Sequence, residues 1–354
     1  MSEGLHRVAV IGLGVGQLHV RSWRRLKDRF AVVAVADLDP ARASAVAERV
    51  GAEVASFEEI IERDDIDVVD LCTPPAGHYD QITAALARGL HVVCEKPLVG
   101  SLAEADGLAA VERDRAGRVM PIFQYRFGNG LQKIKALVDG DVAGRAFTSS
   151  VEVAWRRRAD YYAVPWRGRW DTELGGVLVS QAVHALDMLT YIVGPPARLF
   201  ARVKTMVNDI EVEDCAAISL EMADGSLATV SCTLGSAEEI TRHRFHFANL
   251  SAESGTAPYE SSSDPWRITA DTEEAAGAID ALLDNWAVRP EGWWGQFERY
   301  ADFLDGKVAD PPVTLTDARR ALELVTALYA SSRSGRDVAL PIGADHPLYG
   351  GWRP

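Results

Sequence analysis

The residues that first suggest chemistry are the consecutive Gly12, Leu13, Gly14, Val15 and Gly16, which follow the apolar run at 7–11 and lead into an amphipathic stretch. A glycine turn between a strand and a helix lets main-chain amides approach a phosphate, at a helix terminus whose dipole favours negative charge. The spacing is G-x-G-x-G, and any tight strand-to-helix connection can use glycine, so the turn alone leaves a ligand and a plain turn both open. Asp37 is the second mark, at the end of the next apolar run. An acid there hydrogen-bonds the ribose hydroxyls of a dinucleotide and disfavours the extra phosphate of NADP. Asp39, directly before Pro40, is better placed to cap the following helix, which leaves Asp37 for cofactor contact. Turn, acid and strand–helix rhythm together point to NAD.

A second chemical group lies at 152–171, where Trp155, Tyr161, Tyr162, Trp166 and Trp170 are interleaved with Arg156, Arg157, Arg158, Arg167 and Arg169. Aromatic faces stack on the apolar faces of sugar rings, and arginines fork onto carboxylate, phosphate or vicinal hydroxyls. A sugar, sugar acid, glycoside or nucleotide sugar all fit; so does a subunit interface, which favours the same residue types. Trp286, Trp293 and Trp294 line the same cleft or fix a loop.

These groups need elements to hold them. Over the first third, short β-branched runs alternate with amphipathic stretches, the signature of βαβ units and a parallel sheet. Strands are expected at 7–12, 32–37, 68–74, 91–97 and 121–127, with capping boxes at Ser56/Glu59 and Ser101/Glu104. Later segments such as AFTSSVEVAW and LATVSCTLG alternate without intervening helices, so a large, mostly antiparallel open sheet is expected, interrupted by a helix over about 176–193. A strong helix stops at Gly335, and the aromatic tail HPLYGGWRP should dock. The fold class is therefore an α/β Rossmann dinucleotide-binding domain, 1–124, followed by an α+β substrate-binding and oligomerisation domain, 125–354.

The chain has 354 residues, enough for two domains with substantial cores, and 47% hydrophobic with 25% charged residues is ordinary globular usage. A net charge of −14 repels polyanions, so nucleic acid and anionic membrane are not expected partners. Cys72, Cys94, Cys215 and Cys232 form no C-x-x-C pair and read as buried thiols of a reducing compartment. With no leader-like or membrane-length apolar segment, a cytoplasmic protein is expected, and no metal set stands out.

The strings IGLGVGQLH, VADLDP, CTPPAGH, GLHVVCEKPL, QYRF, PWRGRW and GGVLVSQAVHALD, with ALELVTALYASSRSG near the end, resemble the glucose-fructose oxidoreductase, inositol dehydrogenase and rhizopine-catabolism (Gfo/Idh/MocA) family over essentially the whole chain. CEKPL is the most specific of them. The resemblance implies a lysine, here Lys96, beside the nicotinamide and the substrate carbinol, and a histidine, here His184, on the substrate side. Removing hydride from a secondary alcohol requires the hydroxyl proton to leave, and a lysine with a neutral imidazole can take it. The resemblance also implies cofactor contacts from Thr73, Pro74, His78, Glu95 and Gln124, and substrate contacts from Arg126, Ser180 and Gln181 beside Trp155, Tyr162, Trp166 and Arg167. Asp187, one turn after His184, either orients it or serves structure.

One departure stands out. Where the inositol-dehydrogenase pattern has an aspartate four residues before the histidine, this chain has Ser180, which cannot act as a carboxylate base. The expectation is an NAD-dependent dehydrogenase of a secondary hydroxyl on a sugar, glycoside, sugar acid or polyol, working as a homodimer or homotetramer. Two alternatives stay open: an NAD-retaining glycosidase or lyase-type enzyme that oxidises the sugar transiently, and a non-catalytic NAD-binding regulator.

Overall fold

A computed structural model describes residues 4–354, and the chain divides into two compact units. The first takes the chain up to Phe123 together with Trp293–Arg319. It is built from β1 (His6–Ile11), α1 (Gly16–Arg25), β2 (Phe30–Ala36), α2 (Pro40–Val50), β3 (Glu53–Val54), α3 (Phe57–Ile61), β4 (Val68–Leu71), α4 (His78–Ala87), β5 (His91–Cys94), α5 (Leu102–Arg113) and β6 (Val119–Pro121). All strand pairs are parallel, in the order β3-β2-β1-β4-β5-β6. This is the Rossmann order, which reverses between β1 and β4 and so opens a ligand crevice outside the carboxyl ends of those strands.

The local chemistry explains the element ends. Asp39 accepts from the amides of Ala41 and Arg42 at the start of α2, Pro40 fills the first helical position, and Gly51 ends the helix with a left-handed φ of 72°. Ser56 and Glu59 form the reciprocal capping box of α3. At α5, Ser101 caps Glu104 N, whereas the Glu104 carboxylate turns to Gly100 N at 2.8 Å.

The segment that returns to the first unit differs from a single cut near Gln124, and its packing gives the reason. Phe297 and Tyr300 of helix Gly292–Leu304 are fully buried, and Phe297 stacks on Trp23 at 3.7 Å. Gln296, also fully buried, receives Phe123 N (3.2 Å) and donates to Pro121 O (2.8 Å), supplying β6 with hydrogen bonds on its open edge.

The second unit comprises Gln124–Gly292 and Arg320–Pro354. Its eight-stranded sheet has the order β13-β12-β11-β7-β10-β9-β8-β14, with β7 (Ala146–Arg156), β8 (Pro196–Lys204), β9 (Cys215–Met222), β10 (Leu227–Thr233), β11 (Gly235–Phe247), β12 (Leu250–Glu253), β13 (Arg267–Ala270) and β14 (Val338–Ala339). Every pairing is antiparallel except β7 with β10. Buried and exposed residues alternate along β9 and β10, as expected for a sheet covered on one face.

Two sequence expectations need correction here. The strand expected over 121–127 stops at Pro121, and Gln124–Phe127 is a 3-10 turn that leads into α6 (Asn129–Asp139). The helix expected over 176–193 is two pieces, α8 (Val177–Ser180) and α9 (Ala182–Val193), broken at Gln181; α7 (Ala159–Tyr162) precedes them. Among the described residues, no helix is long and apolar enough to cross a membrane.

The tail docks on its own unit: Trp352 is 1% exposed, donates to Leu174 O at 2.6 Å and stacks against Tyr329. Truncating a buried indole removes packing and leaves a cavity. Trp352→Ala is therefore expected to cost about 3–5 kcal/mol, read as a lowered midpoint in urea denaturation. An unchanged midpoint would mean that the tail adds nothing to the fold.

Candidate functional site

The nucleotide end is assembled at the carboxyl edge of the first sheet. Gly12 has a φ of +86°, and a Cβ there would lie 2.5 Å from Cys72 O, so both conformation and the neighbouring strand require glycine. A Cβ on Gly14 would meet nothing within 4 Å, which leaves the turn open for a ligand. Gly16 packs helix on strand, its Cβ position being 3.3 Å from Cys72 Cβ and Val10 Cγ1. No side chain caps the start of α1, so its first amides face outward unclaimed by a protein carboxylate or hydroxyl. Leu13 is buried and Val15 exposed, and both serve through their main chain.

The Asp37 carboxylate receives Leu13 N at 2.6 Å and Asp39 N at 2.8 Å, and Arg42 NH1 stands 3.2 Å away. It thereby ties the glycine turn to the end of β2. Leu38, next in the chain, is fully exposed and offers an apolar platform that the sequence reading did not single out. Open turn, uncapped helix and carboxylate together fit a dinucleotide.

Thr73 and Pro74 follow β4, and Thr73 Oγ1 donates to Gln81 Oε1 at 2.7 Å. His78 is a correction to the expected cofactor contacts. It is fully buried, with Nδ1 3.1 Å from Pro97 O and Nε2 2.9 Å from Thr73 O, so it braces the two loops from beneath. Lys96 follows β5 directly, and its main-chain amide donates to Glu95 Oε2 at 3.1 Å.

Beneath this edge lies a buried charge cluster that the sequence reading missed. His19 of α1, with no exposure, sets Nδ1 3.0 Å from both oxygens of Asp70 and Nε2 3.1 Å from Glu95 Oε1. Trp23 donates to Asp70 at 2.7 Å and Trp293 to Glu95 at 3.2 Å. Burial alone would lower the imidazole pKa, but the Asp70 carboxylate overrides it, so the ring is held well above its ordinary value and both nitrogens donate. Ligand atoms of His19, Asp70 and Cys72 lie within 4.8 Å of one another, a spacing that could suit a metal ion. Burial pushes the Cys72 thiol up, so a neutral thiol lies beside the His19–Asp70 ion pair, whereas a metal would need the thiolate and a neutral imidazole.

The substrate end is built within the second unit. Gly175 and Gly176 precede α8 because nothing larger fits: a Cβ on Gly176 would lie 1.7 Å from Glu213 O. The Glu213 carboxylate takes Gly176 N (2.9 Å) and Leu178 N (3.0 Å), capping the short helix from a distant strand approach; burial pushes this carboxyl up to about 7. His184 sits in the first turn of α9, 6% exposed, its ring 4.7 Å from that of Tyr125. Gln124 is buried, and its Oε1 has no hydrogen-bond partner among the described residues.

Several expected substrate residues are joined by two that were not among them, Glu173 and Tyr161. Glu173 Oε1 accepts from Arg167 NH1 (2.9 Å) and Ser180 Oγ (2.8 Å), and its Oε2 accepts from Gly168 N (2.6 Å). The Tyr161 hydroxyl receives Arg167 and Gln181 Nε2, the latter at 3.0 Å. Arg167 also lies over the Tyr161 and Trp166 rings, 4.0 and 4.2 Å from their centroids. Tyr162 is half-buried, edge-on to Tyr161.

Two residues are placed otherwise. Trp155 is 5% exposed with Nε1 on Thr241 Oγ1 at 2.9 Å, so it is core of the sheet and not a stacking platform. Arg126 is 8% exposed and makes a two-pronged pair with Asp187 (2.8 and 2.6 Å). Trp293 braces Glu95, Trp294 lies under Arg25, and Trp286 reaches Asn129.

Residues 6–123 match the model of an oxidoreductase family with an NAD-binding Rossmann fold, and residues 131–253 match the Gfo/Idh/MocA C-terminal domain. The chain belongs to the Gfo/Idh/MocA oxidoreductase family. Among relatives in this family, it is 25% identical over 344 residues to a D-apiose dehydrogenase of Paraburkholderia graminis, an alignment that spans 94% of this chain and 89% of the relative. It is 31% identical over 209 residues to a D-xylose 1-dehydrogenase (NADP+) of Haloferax volcanii, covering 58% of this chain and 62% of that one. The WlbA dehydrogenase of Chromobacterium violaceum, solved with NADH and UDP-GlcNAcA, superposes with a TM-score of 0.85 at 25% identity over 97% of this chain and 98% of that one.

Within this Gfo/Idh/MocA chain the His19 cluster makes a testable statement about stability. A raised folded pKa contributes stability that is fully present below the unfolded value of about 6.5 and is lost as the pH rises through the folded value. His19→Gln removes the cation between two buried carboxylates, at a cost of about 3–5 kcal/mol. Urea denaturation from pH 6 upward is expected to show wild type losing stability relative to the variant as pH increases; parallel curves would contradict a charged His19.

Proposed function

We propose that this oxidoreductase is an NAD-dependent dehydrogenase that oxidises a secondary hydroxyl of a sugar, glycoside, sugar acid or polyol, with Lys96 and His184 handling the proton. The observation that supports the reading is the carboxyl edge of the first sheet, where the open glycine turn follows β1, Asp37 follows β2 and Lys96 follows β5. The named sugar dehydrogenases among the relatives support the same substrate class.

Gly12, Gly14 and Gly16, with the uncapped start of α1, would hold the pyrophosphate, and Asp37 the adenosine ribose. Asp37 favours NAD over NADP, since its carboxylate would face a ribose phosphate. Bound NAD supplies the hydride acceptor. Lys96 would take the hydroxyl proton on Nζ as the carbon–hydrogen bond breaks, leaving a carbonyl, and His184 is proposed as the second proton-handling group. Thr73 and Pro74 shape the loop beside the lysine, and Glu95 fixes the lysine main chain. The exposed Leu227 on the open face of the eight-stranded sheet supports a homodimer or homotetramer, and the cytoplasm is the setting proposed for it.

The test is purified protein with NAD and a panel of neutral sugars, glycosides, uronic acids and inositols, followed by reduced-nicotinamide absorbance. Lys96→Ala is expected to lower turnover on the order of 10²–10⁴-fold while NAD binding, measured by calorimetry, persists. Bond cleavage without reduced nicotinamide would replace this reading with transient oxidation, and activity untouched by Lys96→Ala would sink the proposed role.

A further inference from the structure

The arginines of the 156–169 segment look in the sequence like an anion site, but the structure has already given Arg157 and Arg167 carboxylate partners and Arg156 a main-chain carbonyl. Arg157 NH1 lies 3.0 Å from Glu239 Oε1, and Arg156 NH1 donates to Gly235 O at 3.0 Å. Arg167, the one that contacts Tyr161 and Trp166, is paired with Glu173, whose side chain is only 4% exposed. That carboxylate cannot swing away, because Gly168 N and Ser180 Oγ hold it as well. A carboxylate or phosphate arriving at Arg167 would meet a fixed like charge on the same guanidinium.

What the cluster offers instead is neutral hydrogen bonding. Gln181 is 7% exposed; Nε2 reaches the Tyr161 hydroxyl, and Oε1 has no partner among the described residues. Turning the carboxamide over exchanges the two ends without satisfying both. A hydroxyl group, which donates and accepts, complements either end, whereas an ionised carboxylate only accepts. Three residues beyond Gln181 in the chain stands His184.

We propose that Glu173 is a specificity-determining residue: by cancelling the charge of Arg167 it makes the site select an uncharged, hydroxyl-rich sugar or polyol over a sugar acid or sugar phosphate. This rests on the reading of the chain as a dehydrogenase of sugar or polyol hydroxyls, and it narrows that reading.

The experiment compares D-glucose with D-glucuronate and D-galactose with D-galacturonate, as kcat/KM with NAD, in wild type, Glu173→Gln and Glu173→Gln/Arg167→Gln. Wild type is expected to favour the neutral member of a pair by tenfold or more; Glu173→Gln shifts the ratio toward the uronate by roughly ten- to hundredfold, and the double variant loses that shift. A wild-type preference for uronate, or an unchanged ratio in a folded Glu173→Gln protein, overturns the proposal.

A second arm needs neither turnover nor a stable variant. The wild-type complex with NADH is titrated with the same four sugars by tryptophan fluorescence at low and high salt. Neutral sugars binding without salt dependence is the expected result, and uronates binding more tightly at low salt would overturn it. If no member of the wider panel is oxidised, the dehydrogenase reading fails by itself, and this binding arm still decides the charge selectivity.

Discussion

The first unit depends on one buried ion arrangement, the His19 imidazolium held between Asp70 and Glu95. Its three members come from α1, which begins at the glycine turn, from β4, and from the residue after β5. Two carboxylates this deep would each carry a desolvation cost of several kcal/mol, and neither could stay ionised beside the other without a cation between them. Trp23 and Trp293 donate to the same carboxylates, so the cluster is satisfied on all sides and excludes water. Glu95 then has a fixed position from which its second oxygen holds the Lys96 amide. The main chain at Lys96 is thereby tied to the buried cluster.

Buried carboxylates do comparable work in the second unit, but there they organise main chain. Glu213 caps α8, and Asp214 gathers the amides of Met206, Val207 and Asn208 at 2.7, 2.9 and 2.7 Å. Glu173 holds Gly168 N. Each supplies a hydrogen-bond partner that irregular backbone lacks. The arrangement is rigid where the proposed substrate residues stand, since Ser180 and Arg167 answer to the same carboxylate.

Much of this was legible in the sequence because it follows from local rules. Glycine at 12 and the cap at Asp39 announce themselves through turn and helix chemistry, and the alternating burial of β9 and β10 is a period-two pattern. What was not legible comes from contacts distant in the chain. His19 reads as one polar residue on a helix until β4 and β5 bring carboxylates to both its nitrogens. Trp155 and Arg126 carry residue types suited to ligands, yet Thr241 and Asp187 claim them from elsewhere in the unit. Nothing in the sequence distinguishes Glu173 from the other acids of an acidic protein.

The serine at 180 acquires a different meaning in this light. A carboxylate is not missing from that region; Glu173 Oε1 stands 2.8 Å behind the hydroxyl. Its oxygens are also held by Arg167 and Gly168 N. Ser180 is thereby tied through one carboxylate to Arg167 and Gly168. Two of the five arginines concentrated in that short segment of a chain of net charge −14 are paired with acids, Arg157 with Glu239 and Arg167 with Glu173. Arg157 and Arg167 each lie against an acid and an aromatic ring, an arrangement that fixes guanidinium planes as walls. Charge held in that way is spent on stacking and on fixed geometry within the unit.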